Sequence, residues 1–121
     1  MEYKEYGIAR RYAEQLATQM RKGLLSYLVL TVAEQPIYAS DIIRRLSEAG
    51  LTVVEGTIYP LLLRLQRDGL LQYEWREDGS SRPPRKYYST TELGRTVLIE
   101  LRREIKNLNQ TTRKLERKET K

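Results

Sequence analysis

The apolar residues of this chain change from a helical period to a period of two just after Gly69, and that change sets the order of its elements. Ahead of it, Ile58, Leu61, Leu62 and Leu65 recur at helical spacing and share one face. Pro60, Leu63 and Arg67 lie opposite, flanked by Tyr59, Arg64 and Gln66. Beyond it, Leu71, Tyr73 and Trp75 alternate with Gln72, Glu74 and Arg76, the pattern of a half-buried strand, with Trp75 expected in the core. Asp78-Gly79-Ser80-Ser81 is turn chemistry, and Arg82-Pro83-Pro84-Arg85-Lys86 is a stiff basic loop. Lys86-Tyr87-Tyr88-Ser89 then returns as a second strand. A helix with a polar outer face feeds a hairpin with a basic tip.

The flanking segments are helical. Tyr6, Ala9, Ala13, Leu16 and Met20 form a stripe between Lys4 and Lys22. Gly23 is expected to interrupt it, and Leu24 to Ala33, apolar nearly all round, forms a second helix ended by Pro36. Ser40 is expected to cap a third helix with Ile42, Ile43 and Leu46 inward, closed by Gly50 at a C′ position. Thr57 is expected to cap the fourth, which puts Pro60 in a first turn where its missing N–H costs nothing. Thr91 caps a last helix running to about Arg117, roughly 40 Å long. Along it Leu98, Leu101, Ile105, Leu108, Thr112 and Leu115 follow an a/d seam longer than one small core can cover.

The fold class expected is mainly α with a small β-hairpin: a winged helix-turn-helix with N- and C-terminal dimerisation helices. The 121 residues are the length of one domain, divided as 1–22 for the first helix, 23–89 for the winged core and 90–121 for the last helix. Leu98, Leu101, Ile105, Leu108 and Leu115, with Leu16 and Met20, are the expected dimer interface.

Composition narrows the chemistry. The chain has no cysteine and no histidine, which removes thiol nucleophiles, Cys/His zinc sites and imidazole acid–base catalysis. Glu100 and Glu104 have the spacing of ordinary pairing with Arg103 rather than of a catalytic pair, so no enzyme, cofactor or metal is expected. Lys and Arg outnumber Asp and Glu by 22 to 16, a net charge of +6 that favours a polyanion such as double-stranded DNA. The longest apolar run is about ten residues against the roughly twenty of a membrane span. The N-terminus lacks the layout of a signal peptide, and a cysteine-free chain is compatible with the cytoplasm.

A small α+β domain with an incidental hairpin has the same element order. The basic tip and the polar outer face favour DNA. Arg64 and Arg67 can pair with guanine edges or phosphates, and Leu63 can meet a thymine methyl. Tyr59 can donate to a phosphate, and Thr57 and Pro60 belong to the same candidate surface. Arg82, Arg85 and Lys86 suit a minor-groove or backbone contact. Ser40 and Arg44, with Lys22, are candidate phosphate contacts. Arg102, Arg103, Lys114, Arg117 and Lys118 are expected to line the solvent face of the last helix.

Taken together, several strings resemble the PadR family of bacterial transcriptional regulators. Glu55-Gly56-Thr57-Ile58-Tyr59-Pro60-Leu61-Leu62 is similar to the family's recognition-helix signature, followed by Arg64-Leu65 and Asp68-Gly69-Leu70-Leu71. Pro84-Arg85-Lys86-Tyr87-Tyr88 resembles its strand signature, and Thr91-Glu92-Leu93-Gly94 its last-helix start. The likeness spans Gly23 to Leu98 and is to the subfamily with a single short C-terminal helix. It departs at Thr90, where the family implies a leucine, so looser anchoring of the last helix is expected. The resemblance implies a homodimer that binds an inverted-repeat operator and usually represses. A winged-helix protein–protein interaction module without an operator is the alternative. An unidentified small-molecule effector stays open. Drug-stacking relatives are expected to use aromatics of the last helix, and from Ser89 to Lys121 this chain has none.

Overall fold

A computed structural model describes residues 2–77 and 79–117; Asp78 of the expected turn and Lys118 lie outside the described residues. In chain order the elements are α1 (Tyr3–Val32), β1 (Ile37–Tyr38), α2 (Ala39–Glu48), α3 (Glu55–Arg67), β2 (Leu71–Arg76), β3 (Arg85–Thr90) and α4 (Glu92–Glu116).

The first correction is that Gly23 does not break α1, which is one helix of 30 residues, about 45 Å long. A glycine inside a helix costs under about 1 kcal/mol. Gly23 sits on an open side of the helix, and the turns that follow bury Leu25, Val29 and Leu30. Packing outweighs propensity here.

Two caps also move. The N-cap of α2 is Tyr38, not Ser40, and no side chain caps it. The N-cap of α3 is Val54, whose carbonyl accepts from the amides of both Thr57 and Ile58. Thr57 is therefore the third residue of the helix, and Pro60 lies inside it rather than in its first turn. The bond Pro60 cannot make would have gone to the carbonyl of Gly56, an exposed residue whose carbonyl water can reach. That is why the helix tolerates the proline.

The helix ends follow the sequence. Gly50 and Gly69 have φ of 106° and 78°, and each closes its helix with paired bonds: Gly50 to Ser47 and Leu51 to Leu46, Gly69 to Gln66 and Leu70 to Leu65. α2 and α3 are thus stopped sharply enough for the chain to turn.

The hairpin gains a strand. β1 pairs with β3, giving an antiparallel sheet in the order β1-β3-β2. Two residues are too few to show a period, so nothing in the sequence marks β1. The register Leu71↔Thr90, Tyr73↔Tyr88 and Trp75↔Lys86 puts these side chains on the face turned to the helices. Leu71, Tyr88 and Thr90 are buried there, with Leu30, Ile42, Ile58, Leu62 and Leu98. Trp75 is not: it is 61% exposed, against the expectation of a core position.

Thr90 ties the start of the last helix to α1 with a side-chain bond that a leucine could not make. Its amide donates to the Ala33 carbonyl at 2.8 Å and its hydroxyl to the Leu30 carbonyl at 2.7 Å. Both are carbonyls at the end of α1 that the helix itself leaves without partners. The expected loosening is contradicted. Next to it, Thr91 accepts from the Gly94 amide at 3.0 Å and donates to the Gly69 carbonyl at 2.7 Å, tying the start of α4 to the end of α3. Gly94 is buried, and a Cβ there would collide with the Leu70 carbonyl and come within 2.6 Å of Thr90 Cγ2. Gly94→Ala should therefore destabilise the fold by about 1–3 kcal/mol despite alanine's better helix propensity. A urea-unfolding midpoint equal to or above wild type would contradict this packing.

Candidate nucleic-acid interface

α3 carries the face on which the site is built. Ile58, Leu61, Leu62 and Leu65 are buried against the core. The opposite side is exposed, with Leu63, Arg67 and Pro60 along its crest. Tyr59 stands on the flank toward the wing. Thr57 and Arg64 stand on the other flank, where they line a cleft of about 190 Å³ with Pro60 and with Lys22 of α1. The sequence-derived set is thus divided between two sides of one helix rather than gathered at a point.

On the wing side a concavity of about 440 Å³ brings together Ser40 at the start of α2, Tyr59 of α3, and Trp75, Arg85 and Lys86 of the hairpin. The N-cap residue of α2, Tyr38, makes no side-chain cap bond, and Asp41 in the first turn lies 3.5 Å from Arg44. Burial, and then the neighbouring Tyr59 and Tyr73, push the Tyr88 phenol above its usual pKa.

Cations lying over rings stiffen the wing. The Arg76 guanidinium sits 4.2 Å from the Tyr87 ring centre and that of Arg85 4.0 Å from Tyr38. Lys86 Nζ is 4.4 Å from the Tyr73 ring and 5.7 Å from that of Trp75. The Tyr38 and Tyr87 rings are 4.7 Å apart. Each such contact is worth about 0.5–1 kcal/mol when exposed, and together they hold the basic residues in fixed positions. At the tip, the Arg82 amide donates to Ser80 Oγ at 3.2 Å.

Arg44 is less simple. Its guanidinium bonds Glu48 at 2.6 Å and lies 3.5 Å from Asp41. The hydrogen bond and charge of Glu48, and then Asp41, raise its pKa. Exposed pairs of this kind add little stability, so a phosphate can replace a carboxylate at small cost.

The expected interface residues of the terminal helices fall into three groups. Leu98 is fully buried in the chain's own core and is unavailable to a partner, which removes it from the set. Leu101 and Ile105 are half-buried. Leu16, Met20, Leu108 and Leu115 are exposed, Leu115 by 82%, and Tyr12 and Ile8 of α1 join them. Ile8 and Tyr12 lie off the stripe that runs through Tyr6, Ala9, Ala13, Leu16 and Met20, which is why the spacing does not mark them. Arg102 is also more than a solvent-facing cation. It bonds Glu34 at 2.6 Å, and the neighbouring Tyr27, followed by Glu34, raises its pKa. α4 is fastened to the end of α1 by this contact. Arg103 pairs with Glu100 at 3.1 Å, the ordinary pairing the spacing implied.

Two short helices at a sharp turn, the second with an exposed arginine crest, and a sheet with a basic tip together make a winged helix. The model of the transcriptional regulator PadR-like family matches residues 28–100. The chain belongs to this family, whose members are DNA-binding transcriptional regulators and not enzymes. A PadR-like transcription factor from Bacteroides fragilis is 50% identical, with a TM-score of 0.71 over 84% of this chain and 98% of that one. A PadR family regulator from Eggerthella lenta is 34% identical, with a TM-score of 0.81 over 89% and 95% of the two chains. Transcriptional regulator Rv3488 of Mycobacterium tuberculosis is 35% identical over 89 residues, 73% of this chain and 80% of its own. No helix among the described residues is long and apolar enough to cross a membrane.

Proposed function

We propose that this protein is a cytoplasmic, sequence-specific repressor that binds an inverted-repeat operator as a homodimer. The observation that carries the reading is the crest of α3. Leu63 and Arg67 project away from the core between two basic flanks, Lys22 with Arg64 on one side and the wing cations on the other. A helix so presented enters a major groove with its crest against base edges and its flanks against the two phosphate strands. In this arrangement Arg67 reads bases and Leu63 meets a thymine methyl. Tyr59, Ser40, Arg44, Arg64, Lys86, Arg85 and Arg82 hold the backbone, and Thr57 and Pro60 border the groove entered by α3. Two-fold symmetry of the dimer requires half-sites whose centres are about one DNA turn, or a multiple of it, apart.

The two roles are separable by substitution. Arg67→Ala should cost about 1–3 kcal/mol on the operator and relax preference at one base position. Arg82→Ala should weaken operator and random duplex to similar extents. Competition binding on both duplexes measures this, and an Arg67→Ala protein with wild-type affinity and preference would place the reading face elsewhere.

A further inference from the structure

The inner face of the wing runs past the core that covers it. Leu71, Tyr73 and Trp75 share that face with Thr90, Tyr88 and Lys86. Burial falls along it: Leu71 is buried, Tyr73 half-buried, and Trp75 is 61% exposed. A ring this large left in water on the concave side of a hairpin is costly unless something covers it. Its orientation is nonetheless held. The Tyr73 ring meets it edge-on at 5.9 Å and Lys86 Nζ lies 5.7 Å from its centre. Across the concavity stand Tyr59 of α3 and Ser40 at the uncapped start of α2.

We infer that this concavity seats one sugar–phosphate unit of the duplex backbone, with the Trp75 indole packed against the deoxyribose and Lys86, Ser40 and the first turn of α2 holding the phosphate. The inference rests on the DNA-binding reading above. Its occupant must offer an apolar face to the indole and an anion to the opposite wall, and a deoxyribose–phosphate offers both in adjacent groups. A stacked base would satisfy the ring equally well but has to leave the duplex first, at a cost of a few kcal/mol. The place is right as well: the concavity adjoins the Tyr59 flank of α3, so a duplex docked on Leu63 and Arg67 runs one strand along it.

Trp75 is the chain's one tryptophan, so its emission reports this site alone. The full chain is titrated with a duplex selected from a random pool and with a random-sequence duplex of equal length. Tryptophan emission and the anisotropy of labelled DNA are recorded together. The emission should shift with DNA and saturate with the anisotropy on both duplexes. Trp75→Ala should weaken both by about tenfold, leaving base preference and the slope of log K against log salt unchanged, and Trp75→Phe should recover most of the loss. Lys86→Gln should lower that slope by about one. Emission unchanged while anisotropy shows a bound duplex overturns the seat and leaves the regulator reading intact. So does wild-type affinity in Trp75→Ala, or a change in its base preference. Wild type that binds no duplex at all overturns both.

Discussion

Glutamate at both Ile105 and Leu108 should convert the protein to a monomer and cut its operator affinity at least a hundredfold, while non-specific binding falls far less. The stripe on α4 leaves the core after Leu98, with Leu101 and Ile105 half-covered and Leu108 and Leu115 in water. α1 behaves the same way at its other end, where Tyr12, Leu16 and Met20 are exposed. Burying each large apolar side chain is worth about 1.5–3 kcal/mol before association entropy is charged, so covering two such stripes in the proposed dimer would favour self-association. Charges placed in the seam remove that gain and add a desolvation cost. A monomer then holds one half-site without the second, and losing such linked contacts costs about 10²–10⁴ in affinity. Sedimentation of wild type and double variant, followed by operator titration, checks the chain of reasoning. A monomeric wild type at micromolar concentration, or a monomeric variant with full operator affinity, would contradict it.

Operator affinity should also fall steeply with salt. Each protomer presents Lys22 and Arg64 on one flank of the α3 crest and Arg85 and Lys86 on the other, with Arg82 exposed in the wing loop, and a dimer would double the number. With roughly 6–10 phosphates neutralised, raising salt from 50 to 200 mM should cost about 10³–10⁵ in affinity through counterion release. Arg44 adds to the slope only so far as a phosphate displaces Glu48 and Asp41 from it. A flat response over that range is what a protein–protein module lacking an operator would give. It would replace the DNA reading.

Where the sequence was legible, one period or one terminator governed the local structure. The buried face of α3, the β2 alternation, the stops at Gly50 and Gly69 and the Thr91 cap all depend on neighbours a few residues away, and all follow from spacing. The misreadings share a different cause. Gly23 continues a helix because Leu25, Val29 and Leu30 pack against residues distant in sequence. Thr57 and Ser40 are good capping residues that lost the position to Val54 and Tyr38, since the turn before each helix sets where it begins. Leu98 and Leu101 look alike on a wheel, yet only the depth of the core separates a buried residue from a half-covered one. Trp75 has the right parity for the core and stands beyond its edge. The anchoring by Thr90 is not visible locally because its hydroxyl bonds a carbonyl sixty residues back in the chain. Of the candidate site, the residue types on α3 and the wing could be read. Their division between two flanks, and the place of Trp75 between wing and helix, required the tertiary arrangement.

The most direct test of sequence-specific binding by a two-fold dimer is selection of bound duplexes from a random pool at about 150 mM salt, without assuming any target. The account predicts enrichment of one inverted repeat with half-site centres about one helical turn, or a multiple of it, apart. It also predicts that the Arg67→Ala protein loses the preference at a single position of each half-site. A pool that stays unenriched after repeated rounds, or one that converges on a single half-site without symmetry, would contradict it.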